Sequence, residues 1–212
     1  MTPAHNLYAV ILAAGESTRM GTDKALLPWP PSAPGSLPIG KTFLSAAIEA
    51  LDPFSERVIV VVGKNESNLA PVIYANGASL VTNPNPERGQ FSSLQVGLRE
   101  ILNHGRDSAM VTLVDRPPAT AATLNALCSA FAEAPGEVWA VVPEYKGKHG
   151  HPFLLAREMI EAFLKAPPTA NAREIEHQNL RHVLYVAVDD ARATMNVDMP
   201  EEYAALSQQV VK

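Results

Sequence analysis

Five stretches of the chain are apolar throughout, without the alternation of polar and apolar residues that marks a half-exposed strand. Small or polar turn formers such as Gly, Pro, Asn and Asp flank them. Runs of this kind are typical of strands that are buried on both faces of a parallel sheet. We therefore predict strands over residues 8–14, 58–62, 78–81, 110–114 and 138–142.

Apolar residues at helical spacing lie between these runs. They predict helices over residues 43–51, over 93–102 and around 124–131, the last capped by Thr120, and a terminal helix with Pro200 in its first turn. Alternating strands and helices indicate an α/β fold with three layers, a mostly parallel central sheet and right-handed crossovers. Ligands of such sheets bind at the carboxyl ends of the strands, so we expect the functional side chains there.

Composition narrows the class of protein. With 212 residues and 47% hydrophobic content, the chain suffices for one domain over 1–212. The net charge of −5 and the lack of a basic tract argue against a general nucleic-acid binder. The first apolar run is too short to span a membrane, and no basic region precedes it. Cys128 is the single cysteine, so we expect it to be buried and the protein to suit a reducing cytoplasm.

The turn after the first predicted strand combines features that suit a polyanion. Gly15 and Gly21 allow a ligand to approach the main chain, while Arg19 and Lys24 offer cations for phosphate oxygens. The spacing differs from that of the Walker loop and from G-x-G-x-x-G. A proline-rich segment over 28–38 follows, which we interpret as an irregular surface loop.

Two aspartates stand at the expected edge of the sheet. Asp115 follows the predicted strand over 110–114, where its carboxylate could share Mg²⁺ with substrate phosphates, although such a residue often only caps the next helix. Asp198 precedes Pro200 and could likewise be a helix cap. The two aspartates together with the glycine loop favour a metal site.

Two further segments carry weaker signals. Gly89 allows close approach of the main chain, and Ser92 or Ser93 would open a helix whose N–H groups can bind an acceptor, unless the serine is an ordinary cap. His149 and His151 lack the further ligands that a zinc site needs, and a lone histidine in a turn is often structural.

The whole string from Leu12 to Lys24 resembles the signature L-A-A-G-x-S-x-R-M-G-x-x-K of MobA-like nucleotidyltransferases, the family of the molybdenum cofactor cytidylyl- and guanylyltransferases. The segment from Asn83 to Leu98 resembles the Gly-x-x-x-Ser-Leu-x-x-Gly-Leu region of that family, which supports the base and ribose. The resemblance implies a Rossmann-like nucleotidyltransferase fold in which Arg19, Lys24 and Asp115 act in catalysis. The implied nucleotide-binding residues are Leu12, Ala13, Ala14, Gly15, Ser17, Arg19, Lys24, Gly89, Ser92 and Ser93.

The resemblance extends to the metal and acceptor sites. The family carries Asp-x-Pro after a central strand and Asp-x-Pro-Glu near the C-terminus, which implies that Asp115 is the principal Mg²⁺ ligand and that Asp198 completes the site. It also implies that Gly150, His151 and Pro152 border the acceptor, with no proton-transfer role for His151.

The positions around these motifs leave two questions open. Arg116 departs from the glutamine or methionine that is usual in the family, and it could contact substrate phosphate or face solvent. Lys146 and Lys148 could bind an acceptor phosphate or be solvated.

By this resemblance the protein transfers CMP from CTP to molybdopterin, with Mg²⁺ as cofactor and pyrophosphate as product. The family's Leu-Ala-Ala-Gly form is associated with cytidylyl transfer, which makes Ala14 the position that discriminates between the bases. Two alternatives remain open at this stage. One is transfer to a sugar, alcohol or lactate phosphate; the other is an accessory protein that delivers molybdenum cofactor to a molybdoenzyme partner.

Overall fold

The first strand of the fold is a fully buried hexapeptide whose side chains alternate between two cores. A computed structural model describes residues 7–15, 23–31, 40–167 and 169–209. Within them β1 spans Leu7–Leu12. Its odd-numbered residues pack into one hydrophobic cluster and its even-numbered residues into another, so β1 is the centre of the molecule. Ser17, Arg19, Gly21 and most of the proline-rich segment lie outside the described residues.

The described strands form one mixed sheet. After β1 they are β2 Arg57–Val62, β3 Ser79–Thr82, β4 Ser108–Leu113, β5 Ala140–Tyr145, β6 Lys148–His149, β7 Phe153–Leu155 and β8 Val183–Ala187. The order across the sheet is β3-β2-β1-β4-β7-β5-β6, and β8 pairs with β5. The pairs that join β3, β2, β1 and β4 are parallel, as is the pair of β5 with β8. The predicted α/β fold with a mostly parallel sheet is therefore confirmed.

Three strands were not predicted, and one of them changes the topology. After β5 the chain reverses through Lys146 and Gly147, which both have positive φ, and returns as β6. The chain then enters β7, which lies antiparallel between β4 and β5. Elements of two or three residues are too short for a periodic pattern, which is why the sequence did not reveal β6 and β7.

Helices cover both faces of the sheet, as the three-layer prediction requires. They are α1 Phe43–Leu51, α2 Glu66–Ala75, α3 Gln90–Asn103, α4 Ala121–Glu133, α5 Arg157–Lys165, α6 Ala172–Gln178 and α7 Pro200–Gln209. The first, second and fourth contribute to the core on one face, and the third and fifth to the core on the other. None of the helices in the described ranges is both long and apolar enough to cross a membrane.

Local signals account for the helix boundaries. Thr120 caps α4, since its hydroxyl accepts the N–H of Thr123 at 3.2 Å. The prediction that Ser92 or Ser93 opens the third helix was wrong, because Gly89 at φ 92° is the N-terminal cap and α3 begins at Gln90.

The single cysteine, Cys128, is half-buried rather than fully buried, and burial raises the pKa of its thiol to about 11.

A glycine sets how closely α3 approaches the sheet. A Cβ at Gly97 would stand 2.7 Å from Val10 Cγ1 and 3.0 Å from Val61 Cγ2. The helix therefore lies directly on β1 and β2, and its N-terminus faces the carboxyl end of the sheet, where β1 and β4 both finish.

Candidate active site

A pocket of about 230 Å³ opens at the carboxyl ends of β1 and β4. The residues that line it come from the ends of β1 and β4, from the 3₁₀ turns Lys24–Leu26 and Pro86–Arg88, and from the start of α3. They are Leu12, Ala14, Gly15, Lys24, Pro86, Gly89, Gln90, Ser93, Leu113, Val114 and Asp115. Segments predicted separately as nucleotide-binding thus meet here. Ala13 lies behind the wall, with its N–H donated to Val61.

Lys24 joins the two aspartates that the sequence singled out. Its Nζ lies 2.6 Å from Asp198 Oδ1 and 3.9 Å from Asp115 Oδ2. The Lys24 side chain is only 13% exposed, so the pairing takes place in a partly desolvated environment where charges interact more strongly than in water. One cation therefore lies between two carboxylates at the floor of the pocket.

Among the described contacts, neither aspartate side chain caps a helix. The α4 cap is Thr120, and at the start of α7 the carboxylate of Glu202 accepts the N–H groups of Asp198 and Met199. The Asp198 carboxylate instead accepts from Lys24 and from the Asn196 amide. A backbone hydrogen bond also joins the two segments that carry the aspartates, because Val197 donates its N–H to the Asp115 carbonyl at 3.0 Å.

One oxygen of the Asp115 carboxylate is available to bind a ligand. Its Oδ1 is buried and has no hydrogen-bond partner among the described residues. Burial raises the pKa of Asp115, and the Asp198 charge adds to that rise, while Lys24 and Arg116 oppose it. A buried acceptor of this kind suits a hard cation, because Mg²⁺ binds one or two carboxylates and completes its shell with water and phosphate oxygens. The described residues contain no cluster of three or more His, Cys, Asp or Glu side chains that could hold a metal unaided.

Arg116 is half-buried and bonded to the protein, whereas one of the two alternatives had it face solvent. Its Nη1 donates to the Met195 carbonyl at 2.8 Å, and its Nε is buried without a partner among the described residues. Burial lowers the pKa of Arg116, although Asp115 and Asp198 oppose that shift. The guanidinium thus supplies positive potential beneath the pocket.

The two serines of α3 have different surroundings. Asn83 is buried, and its amide donates to both hydroxyls at 2.9 Å. Ser93 lines the pocket, whereas Ser92 donates back to the Gly89 carbonyl at 2.7 Å and lies outside the lining. Asn83 opens the segment 83–98 that resembles the base and ribose region, but sequence reasoning assigned it no role of its own, although a polar residue directly after β3 in an Asn-Pro-Asn-Pro string is a usable signal.

A larger cleft of about 680 Å³ lies beside this first pocket, and a smaller one of about 290 Å³ adjoins both. Gln90 lines all three, which the sequence did not suggest. The large cleft has an apolar floor that includes Phe153, Met159 and Phe163. The polar side chains that line it include Lys148, Arg173, His149, His177 and one carboxylate, Glu176. An apolar floor with cations at the edge suits a ligand that has an apolar body and an anionic group.

The predicted acceptor residues border this cleft in part. Gly150 and His151 line it, whereas Pro152 is buried and does not. Gly150 must be glycine, because a Cβ there would overlap the Ala193 carbonyl. Of the two lysines nearby, Lys148 lines the cleft, while Lys146 places its Nζ 5.1 Å from the Tyr145 ring.

A short segment after β8 holds several site residues in place. Asp190 accepts hydrogen bonds from the Thr120 N–H, the Thr123 hydroxyl and the Arg192 N–H. The 3₁₀ turn Ala191–Thr194 follows, and the Ala193 carbonyl accepts the His151 N–H at 2.8 Å. Although burial opposes it, these hydrogen bonds lower the pKa of Asp190. The sequence did not indicate this role, because each contact depends on which loops meet.

His151 is held as a neutral imidazole. Burial and, less strongly, the Arg116 charge lower the pKa of His151 to about 3. Its Nδ1 is buried without a partner among the described residues. An imidazole with this pKa does not exchange protons near neutral pH, which is consistent with the expected absence of a proton-transfer role.

The depressed pKa of His151 predicts a pH-dependent stability. Between pH 6.5 and 3 the unfolded chain protonates His151 while the folded protein does not, so the free energy of unfolding falls as pH falls through that window. From pH 7.5 to pH 5.0 we expect the wild type to lose up to about 2 kcal/mol more than His151→Asn. Urea unfolding of both proteins at the two pH values measures this difference, and equal losses would contradict it.

Comparisons with known proteins identify the family and the fold. The family model described as the MobA-like NTP transferase domain matches residues 9–188. The molybdenum cofactor cytidylyltransferase of Escherichia coli is 24% identical over 200 residues, 92% of either chain. A probable molybdenum cofactor guanylyltransferase of Rhodopirellula baltica is 32% identical over 132 residues, which cover 62% of this chain and 59% of that protein.

Solved structures share the fold. Rv0371c from Mycobacterium tuberculosis superposes with a TM-score of 0.79 at 26% identity, over 98% of this chain and 100% of that one. A manganese complex of Rv0371C gives a TM-score of 0.73 at 21% identity, over 96% of this chain and 98% of that one. With the family model matching most of its length and the pocket in place, this chain belongs to the family of MobA-like NTP transferase domains, which are nucleotidyltransferases.

Proposed function

We propose that the protein transfers CMP from CTP to a phosphorylated acceptor, with molybdopterin as the acceptor that the relatives favour, and releases pyrophosphate. The observation that carries this proposal is the placement of Lys24 between Asp115 and Asp198, on the wall of a small pocket that adjoins a larger cleft. A nucleotide in the first and an acceptor in the second would meet beside these charges. Ser17 and Arg19 are assigned to the triphosphate by the sequence motif alone.

The chemistry requires positioning and charge neutralisation more than a covalent nucleophile. An acceptor phosphate oxygen attacks the α-phosphorus in line, a new P–O bond forms, and the bond to the β-phosphate oxygen breaks. Pyrophosphate leaves with that electron pair. Lys24 stabilises the charge on the leaving group, and the Ala14 and Gly15 main chain supports the nucleotide.

A divalent metal completes the proposed site. Asp115 and Asp198 would hold Mg²⁺, which supplies neutralising charge at the α-phosphate. The partnerless Oδ1 of Asp115 fits this assignment. The manganese complex of Rv0371C is compatible with a divalent ion in this fold.

The larger cleft supports an acceptor with a flat ring and an anionic group. His151 would present a neutral ring to it, and Lys148 and Arg173 would offer cations at its edge. Measuring pyrophosphate release with CTP and purified molybdopterin, and with sugar, alcohol or lactate phosphates in its place, tests the acceptor. Release with another phosphate alone would replace molybdopterin and keep the donor site, while tight nucleotide binding without release would indicate a delivery protein.

The proposal also specifies which nucleotide the enzyme prefers. Ala14 lines the pocket and is 8% exposed, so its methyl group would limit the space for a base bound there. The two relatives differ in the nucleotide that their names specify, and the Leu-Ala-Ala-Gly form favours cytidylyl transfer. We expect CTP to be preferred over GTP by about tenfold or more, because one methyl contact discriminates by roughly 1–3 kcal/mol.

Competition kinetics with both nucleotides measure this preference. Ala14→Gly should narrow it, because removal of the methyl group enlarges the pocket and frees the backbone. A wild-type enzyme that prefers GTP would overturn the cytidylyl assignment while leaving the donor site intact.

A further inference from the structure

Asn65 stands at the N-cap position of α2, yet its side chain makes no capping hydrogen bond. An asparagine at this position usually accepts an N–H of the first helical turn. Here the side chain turns away from its own helix and bonds to residues far along the chain, toward the nucleotide pocket.

The Asn65 amide makes three hydrogen bonds, one within its own turn and two to residues next to those that line the pocket. Its Nδ2 donates to the Ala13 carbonyl at 2.9 Å and to Asp23 Oδ2 at 2.8 Å, while its Oδ1 accepts the Gly63 N–H at 3.1 Å. Ala13 and Asp23 are the residues on either side of segment 14–22, which carries most of the nucleotide-binding motif. A single amide nitrogen therefore joins the two ends of this segment.

The connection continues to Lys24. Asp23 uses its other oxygen, Oδ1, to accept the Ala25 N–H at 3.0 Å. This bond caps the 3₁₀ turn Lys24–Leu26, so the direction of the Lys24 side chain depends on where Asp23 is held. The carboxylate of Asp23 is thus shared between Asn65 and the turn that presents the site's cation.

The turn that carries Asn65 is packed against the pocket wall. A Cβ at Gly63 would stand 2.8 Å from the Ala14 carbonyl and 3.1 Å from Pro86 Cβ. Both of those residues line the nucleotide pocket. Movement of Asn65 would therefore be transmitted to the wall directly.

We propose that Asn65 is a positioning residue for the nucleotide: by bridging Ala13 and Asp23 it fixes the spacing between the Ala14–Gly15 main chain and the Lys24 ammonium. The role rests on the proposed function, because it assumes that this pocket holds a nucleoside triphosphate. A site with its groups already in place binds more tightly than one that must order them on binding.

Asn65→Asp is the sharpest test, since it is nearly isosteric. It keeps an oxygen for the Gly63 N–H but replaces the donating nitrogen with a carboxylate oxygen that faces Asp23 and the Ala13 carbonyl. We expect the dissociation constant for CTP, measured by calorimetry in Mg²⁺ buffer, to rise by about tenfold or more, the usual consequence of losing a hydrogen bond to a charged group. In the enzymatic assay KM for CTP should rise more than kcat falls.

The exchanged pair Asp23→Asn with Asn65→Asp restores a donor and an acceptor across the same gap. It should recover much of the lost affinity, although the bond to Ala13 is not restored. Asn76→Asp is the matched control, because Asn76 ends the same helix and, among the described residues, its amide donates to the nearby Val72 carbonyl alone. We expect this control to bind CTP like the wild type.

The outcomes separate the two proposals. Wild-type binding of CTP together with unchanged binding by Asn65→Asp would overturn the role of Asn65 alone. Weakened binding that the exchanged pair does not recover would indicate general damage to the fold and would also overturn it. A wild type that binds neither CTP nor GTP would overturn the proposed function, and with it this role.

Discussion

Replacing Asp115 with asparagine should lower kcat by about 100-fold or more at saturating Mg²⁺, because one full charge is lost from the proposed metal site. The fold should survive. The side chains are nearly isosteric, and the hydrogen bond that ties this position to Val197 uses the Asp115 backbone carbonyl. An asparagine would also turn the partnerless Oδ1 position, or its neighbour beside Lys24, into a donor.

Steady-state pyrophosphate release over a range of Mg²⁺ concentrations measures the effect. Asp107→Asn is a matched control, because Asp107 is an exposed aspartate paired with Arg157 on the surface. The control should keep normal turnover, and near-normal turnover in Asp115→Asn as well would show that Asp115 does not bind the metal.

Replacing Lys24 with methionine should weaken CTP binding by about tenfold to 100-fold, the equivalent of roughly 1–3 kcal/mol for a lost charge-assisted hydrogen bond. Methionine keeps most of the apolar stem, so packing is preserved and the charge alone is removed. Loss of the Lys24 charge should also change the pKa of Asp115. Asp115 and Asp198 would face each other without the cation that lies between them, which should raise the pKa of Asp115 further.

Calorimetric titration with CTP, with and without Mg²⁺, measures the loss. Lys41→Met provides the control, because Lys41 is an exposed lysine that forms an ion pair with Glu49. An unchanged dissociation constant for Lys24→Met would show that this lysine does not contact the triphosphate in the complex.

Sequence patterns were sufficient for the elements that lie deepest in the fold. The strands β1, β2 and β4 are apolar along nearly their whole length because helices cover both faces of the sheet. The composition of each run was therefore enough to predict that the strand is buried. Helix α1 spans the predicted residues, and the Thr120 cap of α4 was predicted. The placement of Asp115 just after β4 follows from the same pattern, since the carboxyl ends of neighbouring parallel strands meet at one edge.

Contacts across the site depended on the tertiary structure. Lys24 meets Asp198 across 174 positions of sequence, and Arg116 meets the Met195 carbonyl across 79. Nothing local to any of these residues specifies its partner. The same holds for Asn65, which occupies a capping position but bonds to Ala13 and Asp23.

The chain by itself thus determined which segments are buried and which motif follows the first strand, because hydrophobic periodicity and turn chemistry act over a few residues. Only the tertiary structure decided that β7 lies antiparallel beside β4, that the half-buried Arg116 donates to the Met195 carbonyl, and that His151 stays neutral. Those outcomes depend on desolvation and on the charges that distant loops bring together, and neither is a property of local sequence.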